Sequence, residues 1–433
     1  MAQLMYPGET GLLRMKRLYQ KFHEEYKPKF KVIHIAGTSG KGTTALITAK
    51  ILQALGLKVG VFVTPYLYEI SENIQVNDMF IKPRANARAV KAVEKLASAI
   101  EVPEIGEISY FEKLTARALV HFALEDVDIA VIETAMGGLY DATNVVDSDV
   151  SVITPISIDH ARLLGNNRGE VAVHKAGIIK KSNKKVVVGR QFEDVQSVIQ
   201  ATAAKQGVPT TILGRDFEVD NVVVSEKGTD FSYRGYGAEG NARMEDLYVS
   251  LIGAHQADNA AVAITAARAL LGPSYQAEKF VKAVRKALKK VQNPGRFDII
   301  RHKDKTIILD VAHNPEKITS VITAFQTLYP GKKVTLIFSC KWTKDAATMA
   351  KILKPITEKV FLTQFQDKNN PDKNRVMGKD ELIHIFDKLD LNPIWCESPS
   401  DAMQKAMDSS LDFVLITGSF HLLRELKEQG RQL

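Results

Sequence analysis

The sequence predicts an α/β protein: one domain on a mostly parallel sheet, then a smaller second α/β domain. Three observations lead there. Strand-length apolar runs alternate with helix-length segments along most of the 433 residues, which is the βαβ rhythm of a parallel sheet covered on both faces. A glycine-rich turn, "HIAGTSGKGTT" at residues 34–44, separates the first such run from the helix after it. Near the end of the first series "VQNPGR" at 291–296 interrupts the pattern, because Asn-Pro-Gly does not continue a helix.

Taken in order, the N-terminal stretch, residues 1–28, reads as an amphipathic helix, lacking the apolar core and small-residue cleavage site of a secretory signal. The run "KVIHIAG" is a buried strand, and a helix follows over about residues 41–55. Further strands are expected at "KVGVFVT", "VDIAVIET", "DVSVITPIS" and "KKVVVG", with helices between them. Residues 217–251 break the rhythm and read as a hairpin or small antiparallel addition. Helices return at "HQADNAAVAITAARALLG" and at about 276–290. Beyond the linker, "TIILDVA", "KVTLIFS", "KVFLTQF" and "DFVLITG" start a second α/β series. The expected domains are 1–293 and 294–433.

Composition narrows the function. A net charge of +8 favours anionic ligands. The basic residues are scattered and not interleaved with aromatics, against a nucleic-acid groove and for a small polyanion. The two cysteines, Cys340 and Cys396, stand far apart in apolar company, as buried thiols of a reducing compartment do. No apolar run reaches membrane-spanning length. A cytoplasmic protein without membrane or nucleic-acid partners is expected.

The chemistry-bearing residues begin with the loop. Gly37, Gly40 and Gly42 let the backbone turn tightly, so that amides and the following helix dipole face a phosphate. Lys41 reaches terminal phosphates, and Thr43 or Thr44 offers a hydroxyl to phosphate or metal. The pattern departs from G-x-x-x-x-G-K-[ST]: Ile35 stands at the first glycine, and Gly42 separates lysine from threonine. An unliganded βα turn is the plain alternative; the strand before and helix after favour a nucleotide. Glu133 closes the strand in "VIETAMGGLYDATNVV", where an α/β sheet presents ligands and a carboxylate suits Mg²⁺. His160 ends "ITPISIDH" and reads as a strand-end histidine, and Lys175 sits in "VAVHKAGIIK", where the ordinary alternative is a snorkelling surface lysine. The fold class is thus a P-loop mononucleotide-binding domain with a smaller C-terminal Rossmann-like α/β domain.

Together with "GAHQADNA", "NPGR", "LDVAHNP" and "LITGSFHLL", these segments resemble, in order and spacing, the folylpolyglutamate synthase/dihydrofolate synthase family of the Mur ligase superfamily. The resemblance runs over essentially the whole chain. That family's loop has the form G-T-N-G-K-G-S, which accounts for Gly42. The resemblance implies that ATP phosphorylates an acceptor carboxylate and that the amine of L-glutamate then displaces phosphate to form an amide. In-line phosphoryl transfer asks mainly for positioning and charge neutralisation, which fits these residue types. By resemblance Gly37, Thr38, Ser39, Gly40, Lys41, Gly42, Thr43 and Thr44 cradle ATP, while Thr64, Glu133, His160 and a carbamylated Lys175 ligate metal. Gln256 and Asn259 contact ATP from the first domain, and Arg296, Asp310 and His313 from the second, which closes over it. Phe111, Asp141 and Ala142 contact the pteroate; a core aromatic is the alternative for Phe111. Implied cofactors are ATP and Mg²⁺ at two sites, with K⁺ as an optional addition. Implied partners are pteroate or folate and L-glutamate, on a monomer.

Four departures stand out; the one at Ser39, in the loop, keeps a hydrogen-bonding side chain, and the other three bear on the acceptor. Ser39 replaces the family's usual Asn, Tyr66 a histidine, Asn73 an arginine and Leu139 a second arginine. A divergent ligase joining an amino acid to a non-folate carboxylate is therefore the competing expectation. A non-catalytic nucleotide switch is a third.

Overall fold

The computed structural model describes residues 8–100, 106–237, 240–272, 275–366 and 376–428. The chain divides into two compact units, one of residues 1–222, 231–249 and 256–291 and the other of 223–230, 250–255 and 292–433.

The first unit opens with α1 (Gly8–Tyr26), whose buried side is Leu12, Met15, Leu18 and Phe22. Spacings of three and four put these on one helical face. Next come β1 (Lys31–Ala36), α2 (Lys41–Ala54) and β2 (Val59–Phe62). A hairpin, β3 (Ile74–Val76) and β4 (Met79–Phe80), precedes α3 (Pro83–Ser98) and α4 (Tyr110–Leu124). Ser109 starts α4 with a capping box: its hydroxyl accepts from Glu112 N while the Glu112 carboxylate accepts from Ser109 N. Then follow β5 (Ile129–Glu133), β6 (Val150–Ile153), α5 (Ala161–Leu164), α6 (Arg168–Ala176), β7 (Lys185–Val188), α7 (Glu193–Gln206) and β8 (Thr210–Ile212).

The resulting sheet has the order β4-β3-β2-β5-β1-β6-β7-β8. From β2 to β8 neighbours run parallel, and the β3–β4 hairpin adds antiparallel strands at one edge. The central strands β1, β2, β5 and β6 are almost wholly buried and apolar, as strands covered on both faces must be. One face packs α1, α3 and α4 through Phe22, Val93, Leu119 and Phe122. The other packs α6 and α7 through Val171, Ala172, Val195 and Ile199. The carboxyl ends of β1 and β5 lie side by side, Ile35 against Glu133.

After β8 the chain forms β9 (Glu218–Ser225), β10 (Gly228–Gly237) and β11 (Gly240–Val249), a separate three-stranded sheet in the order β11-β10-β9. The long α8 (Ala254–Leu271) is buried nearly all round, its alanines admitting close neighbours, and α9 (Ala277–Leu288) follows.

In the second unit β12 (Asp298–His302) and β13 (Lys305–Leu309) form a hairpin, followed by α10 (Pro315–Leu328), β14 (Val334–Phe338) and α11 (Ala346–Leu353). The unit ends with β15 (Thr357–Leu362), α12 (Lys379–Asp387), β16 (Ile394–Trp395), α13 (Pro399–Met407), β17 (Phe413–Thr417) and α14 (Phe420–Glu428). Its sheet order is β12-β13-β17-β14-β15-β16, parallel except for the β12–β13 pair. Phe325, Phe338, Phe386 and Leu415 lie in its core. Cys340 and Cys396 are buried free thiols. No helix among the described residues is long and apolar enough to cross a membrane.

Candidate active site

The glycine-rich turn joins β1 to α2, and its neighbours explain each glycine. Gly40 takes the left-handed conformation (φ 82°), and a Cβ there would strike the side-chain oxygen of Asn259. Gly37 leaves no room beside Thr154. A Cβ on Gly42 would stand 3.2 Å from Glu133 Oε2. The glycine between lysine and threonine is thus the space into which the carboxylate fits.

Two of the loop amides are already engaged. Thr38 N and Ser39 N both donate to the Pro155 carbonyl, at 2.9 and 3.2 Å. The Thr38 hydroxyl donates to Ser157 O and accepts from Ser157 N. The helix α2 starts directly after these residues, and a helix start presents amide donors to an anion.

Glu133, 3 % exposed, ends β5. Its Oε2 accepts from Thr64 N at 3.0 Å, and its Oε1 lies 3.8 Å from Lys41 Nζ. Lys175 is buried, and its Nζ donates to Gly37 O at 2.6 Å. The snorkelling alternative is thereby replaced: the amine is seated on the loop. The segment after Glu133 holds it there. Leu139 N donates to His174 O, and Asn144 Nδ2 bridges Leu139 O and Gly177 O. Gly138 passes so close to the end of α6 that a Cβ would stand 2.7 Å from His174 O.

His160 is not a strand-end residue. Pro155 lacks an amide for the ladder and β6 ends at Ile153, so His160 falls seven residues on, half-exposed with φ 53°, before the four-residue α5. Asn259 and Gln256 share a hydrogen bond on buried turns of α8, with Asn259 against the loop.

The acceptor candidates separate. Phe111 is partly buried at the edge of the core, its ring 6.1 Å from that of Phe62. The Asp141 carboxylate is buried and accepts from Ala135 N, Met136 N, Thr143 N and Thr143 Oγ1. Burial raises its pKa, and these donors oppose the rise. Its oxygens hold the loop, and Ala142 lies buried beside it.

A neighbouring network was not anticipated. Thr143 Oγ1 gives its proton to Asp141, so the 2.8 Å contact from His34 Nε2 must be a donation. His34 is wholly buried and its pKa falls to about 3, chiefly through burial. The imidazole is neutral, with its proton on Nε2. The sequence signal was a histidine amid the apolar residues of β1. Tyr66 lies on the loop after β2, which Glu72 ties down by accepting from Leu67 N, Tyr68 N and Glu69 N. Asn73 Nδ2 donates to Val63 O in the same loop.

In the second unit, Asp310 follows β13 and bonds backbone on both sides. Its Oδ2 accepts from Phe297 N and its Oδ1 from Ala312 N, at 2.9 and 2.7 Å. Burial pushes its pKa up to about 6, against the pull of the nearby Arg296. Arg296 is half-buried, and its guanidinium donates to Gly295 O. His313 sits 2.9 Å from Val311 O through Nδ1 and 3.1 Å from Lys317 Nζ through Nε2. With the ammonium as donor, the His313 proton is on Nδ1.

The described residues contain no group of three or more His, Cys, Asp or Glu side chains placed to hold a metal. A single buried carboxylate fits Mg²⁺, which keeps waters and takes phosphate oxygens instead of a protein cage.

Comparison with known proteins agrees with this arrangement. Residues 35–267 match the Mur ligase middle domain, and residues 295–420 match the Mur ligase, glutamate ligase domain. The dihydrofolate synthase/folylpolyglutamate synthase of Bacillus subtilis is 32% identical over 432 residues, covering 99% of this chain and 96% of that protein. The Mycobacterium tuberculosis folylpolyglutamate synthase complexed with ADP superposes with a TM-score of 0.89 at 28% identity, covering 98% of this chain and 95% of the other. E. coli FolC in complex with DHPP and ADP gives 0.80 at 27%, covering 96% and 92%. Phosphate loop, strand-end glutamate and both ligase domains therefore place this chain in the dihydrofolate synthase/folylpolyglutamate synthase family of Mur-type ligases.

Proposed function

We infer that the chain is an ATP-dependent ligase that adds L-glutamate to a folate-type acceptor through an acyl phosphate. Family membership over the full length carries the reaction class. The observation that carries the assignment to particular residues is the convergence of Lys41, Glu133 and Lys175 on one glycine-rich loop.

On this reading the first turn of α2 and the Lys41 ammonium receive the β- and γ-phosphates, and Asn259 with Gln256 shapes the loop around Gly40. Glu133, held by Thr64 N, orients the metal side, with Thr64 and His160 as further ligands. Mg²⁺, when bound, neutralises charge between the phosphates and the acceptor carboxylate. Lys175 stands beside the loop in position for carbamylation. Arg296, Asp310 and His313 are assigned to nucleotide contact, and Phe111, Asp141 and Ala142 to the acceptor side. The second domain supplies the glutamate site, and the working form is a monomer.

The test is phosphate release from ATP, with dihydropteroate plus glutamate against tetrahydrofolate plus glutamate. Turnover with at least one pair is expected. Inactivity with both, beside activity on another carboxylate, would remove the folate assignment and leave the ligase class. Lys41→Ala and Glu133→Ala should each lower kcat at least 100-fold without loss of fold. Near-normal turnover in either variant contradicts its assigned role.

A further inference from the structure

Two lysines of this chain each clasp a pair of backbone carbonyls, and the two clasps hold different things. Lys305, the first residue of β13, donates through Nζ to Ser409 O and Leu411 O at 2.7 and 2.9 Å. Those carbonyls lie between α13 and β17, where the parallel strands of the second sheet begin. Lys180, four residues past the end of α6, donates to Asn144 O and Val146 O, both at 2.7 Å. These carbonyls close the short helix Ala142–Val145, whose start is capped by the Asp141 side chain. A cation suits that end, because the last carbonyls of a helix lack donors within it. Burial pushes the Lys180 pKa down to about 8, with Asp147 opposing the fall and Lys16 adding to it. At neutral pH the side chain is therefore an ammonium, answered by the oxygens that replace water.

The Lys180 clasp joins two segments that leave the candidate site. One leaves Glu133 at the end of β5 and runs through Leu139 and Val146 toward β6. The other leaves Lys175 near the end of α6 and runs through Gly177 and Lys180 toward β7. They are cross-linked along their length. Leu139 N donates to His174 O at 2.7 Å, one residue before Lys175. Asn144 Nδ2 donates to Leu139 O and Gly177 O at 3.0 and 3.1 Å, reaching the other side of Lys175. Lys180 then holds the carbonyl of Asn144 itself. The second segment is also pinned to the sheet: Ser151 Oγ on β6 donates to Ile178 O, and Lys180 N donates to Asn183 Oδ1. Glu133 and Lys175 thus belong to different strand-to-helix connections yet share one hydrogen-bonded frame. Both meet the glycine-rich turn, Glu133 beside Gly42 and Lys175 on Gly37 O.

We propose that Lys180 and Asn144 are positioning residues for phosphoryl transfer, fixing Glu133 and Lys175 relative to each other and to the phosphate loop. The inference rests on the ligase reading above. Each acts through backbone: Asn144 through the carbonyls on either side of the cross-link, Lys180 through the short helix that carries Asn144. A catalytic group displaced by about an ångström loses rate far more than binding. Loosening the frame therefore lowers kcat and leaves KM nearly as it was.

The test compares the wild type with Lys180→Met, Lys180→Arg, Asn144→Ala and Lys305→Met, at a temperature where each is fully folded. Steady-state constants are measured with the carboxylate acceptor that the wild type turns over best, beside denaturation midpoints and amide hydrogen exchange. Lys180→Met and Asn144→Ala are each expected to lower kcat about tenfold or more, with every KM within about threefold. Exchange should quicken in peptides covering 134–146 and 174–180. Lys180→Arg keeps a cation with several donors, so its kcat should stay within about threefold of the wild type. Lys305→Met strips the same number of carbonyls of their donor, and should lower the midpoint while kcat and exchange in those peptides stay unchanged. If Lys180→Met does not fold, Asn144→Ala carries the test. Unchanged kcat in the folded variants of Lys180 and Asn144, beside an active wild type, overturns the proposal alone. So does a kcat loss in Lys305→Met as large as that in Lys180→Met or Asn144→Ala, since lost stability then accounts for both. A wild type that turns over no carboxylate acceptor overturns the ligase reading and this proposal together.

Discussion

A methyl group at position 42 would press on the Glu133 carboxylate from 3.2 Å, while Thr64 N holds that carboxylate from another direction. Gly42 lies in the first turn of α2 and has no positive φ, so the helix itself would gain about 1 kcal/mol from alanine. The two effects have opposite signs in different measurements. Gly42→Ala should hold or raise Tm while lowering kcat about tenfold or more, because displacing a positioned catalytic group by a fraction of an ångström is expensive. Unchanged turnover would show that the carboxylate tolerates the shift. Gly42 and Glu133 were each readable from the sequence, but their contact was not: ninety-one residues separate them, and only the β1–β5 register brings them together. Lys175 makes the same point. Its burial against Gly37 O follows from how α6 packs on the loop, which no local pattern encodes.

The helix α4 gathers several devices at its start. Ser109 caps it, Glu112 completes the box, and the same glutamate receives Arg14 from α1. Both side chains of that pair are at least nine-tenths buried. Removing one partner leaves the other's charge enclosed, so Arg14→Met should lose about 3 kcal/mol of unfolding free energy. Arg14→Met with Glu112→Gln, which keeps the cap acceptor and removes the charge, should lose less than the single change. Denaturant titration of the three proteins decides it, and a double variant weaker than Arg14→Met contradicts the argument. The capping box was written in "SYFE", but the arginine that shares Glu112 was not, being ninety-eight residues earlier. Strands were legible for the same reason that boxes are: β1, β5, β6, β7, β13, β14, β15 and β17 are apolar runs whose own sequence requires burial. The short β3–β4 hairpin, with exposed Met79 and Phe80, carries no such mark and passed unread.

Across the whole molecule, acidity acts through groups that the fold keeps in one protonation state. His34 in the first unit and His421 in the second are both lowered to about 3, mainly by burial. Below their ordinary 6.5 the unfolded chain takes up two protons that the fold refuses, so stability falls as pH falls. Asp310 works in the other direction: raised to about 6, it is protonated in the fold before it is in the unfolded chain. His255, lowered to about 4, His121 and His174 add to the first effect, and the raised Asp141 and Asp298 to the second, so the lowered histidines outnumber the raised carboxylates and the net sign is a loss of stability between pH 6.5 and 5. Denaturation midpoints measured over that interval should decline with acid, and a flat or rising midpoint contradicts the sign. The α/β class and the two ligase domains were legible at this scale because the βαβ rhythm repeats on both sides of the Asn-Pro-Gly turn. The strand order was not, since periodicity shows that a strand is buried but not which strand lies beside it.

The reciprocal bond between Thr38 and Ser157, with the two loop amides on Pro155 O, has a consequence for the timing of order. Half of the glycine-rich turn is fixed by the chain's own carbonyls before any nucleotide arrives. The conformational entropy of that half is surrendered when the protein folds, not when it binds. On the proposed function, nucleotide would then meet a preformed seat, and the energy of its phosphate contacts would go into affinity and alignment instead of into building the loop.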